Sequence, residues 1–160
     1  MGMQKTKILV MDVDGTLTDG KIYMGNEGEI MKAFDIKDGC GIHDILLPSG
    51  IVPVIITGRK SQILENRCKE IGIKLLFQGI RDKTAQLSSI VTERGVSLAE
   101  VAYIGDDIND LSCMLEIKKS GGSIGCPADA SPQVKSIADF ISHRNGGNGA
   151  VREYIEYLVP

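Results

Sequence analysis

Tryptophan is absent from this chain of 160 residues, and three Phe and four Tyr are its only aromatics. So ring-poor a core must be filled by Val, Ile and Leu, which suits a sheet covered on both faces. A basic surplus is missing too: 18 Lys and Arg stand against 21 Asp and Glu, a formal charge of −3. That sign excludes binding nucleic acid through a basic face. No apolar run approaches the ~18–20 residues of a membrane span. Residues Met1–Lys5 enter an apolar stretch that already ends at Asp12, which is not the pattern of a secretory leader. The two histidines, His43 and His143, lack partners at ligand spacing and read as structural or exposed residues. Cys40, Cys68, Cys113 and Cys126 show no CxxC spacing, which argues against zinc and for free thiols in a reducing cytoplasm. A soluble, cytoplasmic, single-domain protein spanning 1–160 is expected.

Glycine, by contrast, is plentiful at 19 residues, which implies many tight turns and places where backbone approaches ligand. Ile8–Met11, Ile51–Ile56 and Val101–Ile104 are continuous apolar runs of strand length, with weaker runs at Leu75–Phe77, Gly122–Gly125 and Asp139–Ser142. Pro53 is tolerable only early in its strand or at a sheet edge. Helices are predicted over Gly39–Leu47, Ser61–Ile71, Lys83–Arg94, Asp107–Ile117, Pro132–Ile137 and Ala150–Leu158, and Ser97-x-x-Glu100 has capping-box spacing. Such alternation predicts an α/β fold, a parallel sheet with helices on both faces. The segment 16–35 departs from it. Lys21–Met24 and Glu29–Phe34 flank the turn signature Gly25-Asn26-Glu27-Gly28 and predict a β-hairpin whose arms project about 20 Å.

Ligands of open parallel sheets bind beyond the carboxyl ends of the strands. Four polar signals fall there: Asp12-Val13-Asp14-Gly15-Thr16, Thr57-Gly58-Arg59, Lys83, and Gly105-Asp106-Asp107-Ile108-Asn109-Asp110. Clustered carboxylates need a cation, and hard oxygen ligands select Mg²⁺, here through Asp12, the Asp14 carbonyl and Asp106. A carboxylate beside Mg²⁺, a hydroxyl and a lysine suits attack on a phosphate ester: Asp12 as nucleophile, Asp14 as acid and base, Thr57 and Lys83 on the phosphoryl oxygens. Asp110 and Asn109 are read as orienting the loop or capping the following helix. Gly146-Gly147-Asn148-Gly149 is read as a tight turn into the last helix, at a subunit contact, and lacks the Lys-Ser/Thr of a P-loop.

These four segments resemble the motifs of the haloacid dehalogenase-like phosphohydrolases. Over about Ile8 to Leu158 the resemblance narrows. Asp12–Gly20, Lys32-Ala-Phe, Lys37-Asp-Gly39, Ile56–Lys60, Arg67-Cys68, Tyr103–Asp107 and Gly146–Glu153 are similar to the 3-deoxy-D-manno-octulosonate 8-phosphate (KDO 8-phosphate) phosphatase family. The resemblance implies a Rossmann-like domain without a cap and Mg²⁺-dependent hydrolysis of a sugar-acid phosphate in lipopolysaccharide precursor synthesis. It makes Asp12, Asp14, Thr57 and Lys83 catalytic. Asp12, Asp14 and Asp106 become metal residues, with Asp107 acting through a metal-bound water. The intervals from Asp14 to Thr57 and from Thr57 to Lys83 leave no room for a cap domain, and an uncovered site admits water. The hairpin is the available cover; the resemblance further implies a homotetramer in which a neighbouring subunit helps cover the site, so sites at subunit boundaries are expected.

Substrate contacts are expected from Thr57, Gly58, Arg59, Lys83 and Asn109, with Arg67 and Lys37 as second-line candidates. Arg59 suits the distal carboxylate. The related nine-carbon sugar-acid 9-phosphate phosphatases carry Glu there, so Arg59 favours the eight-carbon substrate. Two other classes share parts of the pattern. A signalling receiver domain also combines Asp, Mg²⁺, Thr and Lys, but here the second acidic cluster follows the lysine. A non-catalytic assembly domain would not need Asp12, Asp14, Lys83 and Asp106 together. Many family members extend past the last helix in a basic tail; with Pro160 last, tail-assisted closure is not expected here. Thr16, often Val in the family, is expected not to matter.

Overall fold

The computed structural model describes residues 6–160; Met1–Lys5, where no leader is expected, lie outside the described residues. Strand β1 (Ile8–Met11) is fully buried, and its alternating side chains feed two separate cores. A hairpin of β2 (Tyr23–Gly25) and β3 (Gly28–Met31) follows, then α1 (Ile36–Cys40). A π-helical segment (Gly41–Leu46) leads into the short α2 (Leu47–Ser49). The remainder alternates: β4 (Val52–Ile56), α3 (Gln62–Ile71), β5 (Leu75–Phe77), α4 (Lys83–Arg94), β6 (Val101–Ile104), α5 (Leu111–Lys119), β7 (Ser123–Cys126), α6 (Pro132–Ile137), β8 (Phe140–Ile141) and α7 (Ala150–Leu158).

Six strands form one parallel sheet in the order β5-β4-β1-β6-β7-β8, and the hairpin is a separate antiparallel pair. Leu9, Met11 and Ile55 face the layer carrying Ile42, Leu64, Cys68 and Tyr154; Ile8, Val10, Val54 and Ile56 face Leu87, Ile90, Met114 and Ile117. The expected α/β sheet covered on both faces is thus present. The chain leaves β1 toward β4 on one side and later returns to β6 on the other. That reversal of strand order opens a crevice at the carboxyl ends of β4, β1 and β6.

Pro53 sits in a strand flanked on both sides, yet costs no ladder bond. The Val52 amide bonds toward β1 (Lys7 O, 2.9 Å) and the Thr57 amide toward β5 (Phe77 O, 3.0 Å), so position 53 faces the β5 side. Pairing with β5 begins only at Val54. Three expected boundaries differ. The first helix starts at Ile36, because the Asp35 carboxylate accepts from the Lys37 and Asp38 amides and caps it there. The helix expected at Asp107 begins instead with a 3₁₀ turn (Ile108–Asp110), held by reciprocal Asp107 and Asp110 side-chain bonds. The hairpin arms are three and four residues long, reaching about 10–13 Å rather than about 20. A bulge between Tyr23 and Met24 shifts the register, the ladder ends at Tyr23 opposite Met31, and an isolated Thr18–Phe34 bridge closes the base of the hairpin. Among the described residues, no helix is long and apolar enough to cross a membrane.

Candidate active site

Pairing of β1 continues one residue past its end. The Asp12 amide donates to the Ile104 carbonyl at 3.1 Å and fixes this carboxylate at the sheet edge. The chain then coils tightly: the Val13 carbonyl accepts from the Thr16, Leu17 and Thr18 amides at 3.0, 2.9 and 3.1 Å. The Thr18 hydroxyl accepts from the Gly15 and Gly20 amides, each at 3.2 Å. Gly15 adopts φ +88°, and a Cβ there would lie 2.0 Å from Asp106 Oδ2. Only glycine lets the loop pass so close to that carboxylate.

Thr57 extends β4 in the same way, with its amide on Phe77 and its carbonyl accepting from Ile80, and its side chain is buried. Lys83 is the first residue of α4, which Asp82 caps through the Ala85 amide at 3.0 Å. Its buried ammonium reaches Asp12 Oδ1 and Asp110 Oδ1, both at 3.0 Å. Asp110, wholly buried, also accepts from the Tyr103 hydroxyl at 2.6 Å and from the Asp106 and Asp107 amides at 3.1 and 3.4 Å. It is the node that joins β6, the second acidic loop and Lys83.

Carboxylate oxygens of Asp12, Asp106 and Asp110 lie within 4.8 Å of one another. Burial, and then the Asp110 charge, push Asp12 up to about 6; burial, Asp12 and Asp110 push Asp106 up to about 8. Burial alone would lower Lys83, but Asp12 and Asp110 outweigh it and hold the ammonium above its ordinary value. Asp110 is committed to Lys83, Tyr103 and two amides, which leaves Asp12 and Asp106 as the crowded pair. A hard divalent cation fits this donor set, since it would replace mutual repulsion by shared attraction.

Asp12, Asp14, Thr57, Gly58, Arg59, Asp106, Asp107 and Asn109 line one open crevice of about 380 Å³. Lys83 does not itself line the crevice and meets it only through its ion pair with Asp12. Arg67 and Lys37 do not join them. The Arg67 guanidinium is held by Glu70 at 2.6 Å and the Asp35 carbonyl at 3.4 Å, over the Phe34 ring. Lys37 instead lines a separate pocket with Arg144 and Arg152 at the start of α7.

Residues 73–155 match the family model of haloacid dehalogenase-like hydrolases. The KDO 8-phosphate phosphatase of Salmonella typhi is 43% identical over 98% of this chain and 80% of its own. The chain belongs to the KDO 8-phosphate phosphatase family of haloacid dehalogenase-like hydrolases. A Moraxella catarrhalis phosphatase of that name, in complex with magnesium, phosphate and KDO, superposes with a TM-score of 0.89 at 39% identity, over 98% of this chain and 87% of its own. A cobalt-bound form from Haemophilus influenzae gives 0.89 at 35% identity, over 98% and 88%.

Three residues do more in the folded chain than their types and positions in the sequence indicate. Asp110, expected to orient the loop or cap the helix, is the buried partner of Lys83, 27 residues away in sequence. Thr16, expected not to matter, is fully buried and donates to Asp106 Oδ1 at 3.3 Å. Lys32, in the sequence only part of a family motif, reaches Asp14 from the hairpin at 2.9 Å. Nothing local to residue 32 signals that contact, because the chain's return creates it. The Gly146–Gly149 segment is the expected turn into α7, and it also backs the nucleophile loop: the Gly147 amide donates to the Thr16 carbonyl at 3.0 Å.

Proposed function

We propose that the chain hydrolyses KDO 8-phosphate to KDO and phosphate, with Mg²⁺ as its cation, through a phosphorylated Asp12. The observation that carries this reading is the single crevice in which Asp12, Asp14, Thr57, Arg59 and Asp106 meet. Asp12 attacks phosphorus in line with the departing sugar oxygen, and Asp14 hands that oxygen its proton. Asp14 then takes a proton from the water that opens the aspartyl-phosphate. Thr57 donates to the phosphoryl oxygens, Lys83 neutralises charge beside Asp12, and Asp110 keeps Lys83 in place. Asp12, Asp106 and the Asp14 carbonyl would hold the cation, with Asp107 engaged through water; when bound it supplies positive charge to the phosphoryl oxygens. Arg59 meets the distal carboxylate, and Gly58 and Asn109 lie along the sugar's path.

The same reading makes the chain a cytoplasmic homotetramer whose product serves lipopolysaccharide precursor synthesis. The exposed hairpin residues Ile22, Met24, Ile30 and Met31 support an association surface beside the crevice. Arg59 favours the eight-carbon acid over a nine-carbon 9-phosphate.

Phosphate release from KDO 8-phosphate, a nine-carbon 9-phosphate and simple sugar phosphates, with and without Mg²⁺, tests the proposal. Efficient turnover of the eight-carbon ester alone, lost with EDTA and in Asp12→Asn, is expected. Preference for the nine-carbon ester overturns the substrate. A phosphoenzyme persisting for minutes points to a receiver domain, and no release at all to an assembly domain.

A further inference from the structure

Lys32 follows the last residue of β3, next to two exposed neighbours: Ile30 is 65% exposed and Met31 47%. The Lys32 side chain is only 3% exposed. An ammonium is costly to bury unless it is paired, so a lysine turned inward from an open hairpin is held there by its partners. It has two. Nζ lies 2.9 Å from Asp14 Oδ1 and 3.0 Å from Glu29 Oε2. Among the described residues, Lys32 is the one side chain that bonds the Asp14 carboxylate. Burial would lower the Lys32 ammonium, but its bonds to Asp14 and Glu29 outweigh this and hold it above its ordinary value.

The second partner is fixed in turn. Glu29 Oε1 accepts from the Ser61 hydroxyl at 2.7 Å, and Ser61 itself caps α3 through the Leu64 amide at 3.3 Å. Glu29 Oε2 also faces Arg59 at 3.6 Å. A short polar chain therefore runs from the α3 cap through Glu29 and Lys32 to Asp14, crossing from the sheet body to the hairpin and back. Asp14 sits on a loop, where nothing else of this kind restrains its side chain.

We propose that Lys32 is a positioning residue for the general acid: its ammonium, clamped by Glu29 and Ser61, fixes the side-chain direction of Asp14 at the crevice wall. The inference rests on the reading of Asp14 as acid and base. It makes the hairpin part of the proton-transfer machinery as well as a flank of the site. A displaced carboxyl would still sit in the crevice, but its proton would no longer meet the departing oxygen.

The test separates leaving groups. An alkoxide leaves only when protonated, whereas p-nitrophenolate leaves without help, so a fault in acid delivery slows one ester and spares the other. Release of the leaving group is followed in a single turnover, with KDO 8-phosphate and p-nitrophenyl phosphate, in the Mg²⁺-loaded enzyme. Lys32→Met is expected to slow the sugar ester about 10²-fold and the aryl ester less than about 3-fold, with substrate affinity little changed. Lys32→Arg should restore part of the difference. Glu29→Gln, which keeps the lysine and loosens its clamp, should show the same asymmetry in smaller measure, and it keeps the test decisive if Lys32→Met does not fold. Asp14→Asn is the reference and should show the largest asymmetry. Equal losses on both esters in Lys32→Met and Glu29→Gln, beside an asymmetric Asp14→Asn, overturn the role of Lys32 alone. An Asp14→Asn variant without asymmetry overturns the acid assignment and this inference with it.

Discussion

Asp110 holds no place on the crevice wall, yet four donors converge on its two buried oxygens. Removing it leaves the Lys83 ammonium without one of its two partners and the buried Tyr103 hydroxyl without its acceptor, and it frees the partly buried Asp106 and Asp107 amides. Breaking a buried pair of this kind costs about 3–5 kcal/mol. Asp110→Ala is therefore expected to lower the melting temperature by roughly 10 °C in a chain of this size, measured by calorimetry. Activity should fall further than stability explains, because the Lys83 ammonium would lose one of the two carboxylates that fix its place beside Asp12. A variant that melts within a degree or two of the parent would contradict this account. The residue scale is also where sequence reading was most uneven. Asp12, Asp14, Thr57 and Asp106 were legible because strand ends advertise them. Thr16, Lys32 and Asp110 were undervalued because their significance lies in a partner distant in sequence or folded back on it.

Among the elements, the glycine turn before α7 is the least obvious support of the site. Gly146 packs on the nucleophile loop so closely that a Cβ would stand 1.9 Å from the Gly15 carbonyl oxygen, a backbone atom that cannot swing aside. Gly15 in turn wraps Asp106, so a displacement at residue 146 passes directly to the cation-facing carboxylates. Gly146→Ala is expected to cut kcat at least about tenfold, and to weaken the response to Mg²⁺ while the sheet stays folded. Circular dichroism and a Mg²⁺ titration of activity would check it, and unaltered Mg²⁺ dependence would count against it. The sequence made this turn and α7 predictable from their glycines and their helical period. That the turn leans on the first loop was not predictable, since the two are more than a hundred residues apart along the chain.

For the molecule as a whole, the acidic cluster ties folding to pH and to cations. Asp12 and Asp106 stand near 6 and 8 without a cation, above the ordinary carboxylate value, so the native state keeps protons that the unfolded chain has released. Stability is then lost as pH rises from about 4 to 8. A bound cation favours the ionised carboxylates and cancels that loss. The melting temperature of EDTA-treated protein should fall across this range, and the rise on adding Mg²⁺ should be larger at pH 8 than at pH 5.5. Buried Asp38, also raised to about 6, adds a decline below neutrality that Mg²⁺ leaves in place. An Mg²⁺ effect independent of pH would contradict the assignment. In the proposed assembly, light scattering should give four times the 17.2 kDa chain mass, and Ile30→Lys with Met24→Lys should reduce it. An unchanged mass would place the interface elsewhere.

The sequence by itself determined the alternating α/β architecture, the sites at which strands end, and the identity of the groups that meet there. Apolar runs, caps and glycines act over a few residues and can be read locally. Only the tertiary structure decided which of those groups share a crevice. It turned Lys32 inward and Arg67 away, buried Asp110 beneath Lys83, and braced the first loop with the last turn. Such pairings depend on burial and on charges brought together across the sheet, and those exist only once the chain has closed on itself.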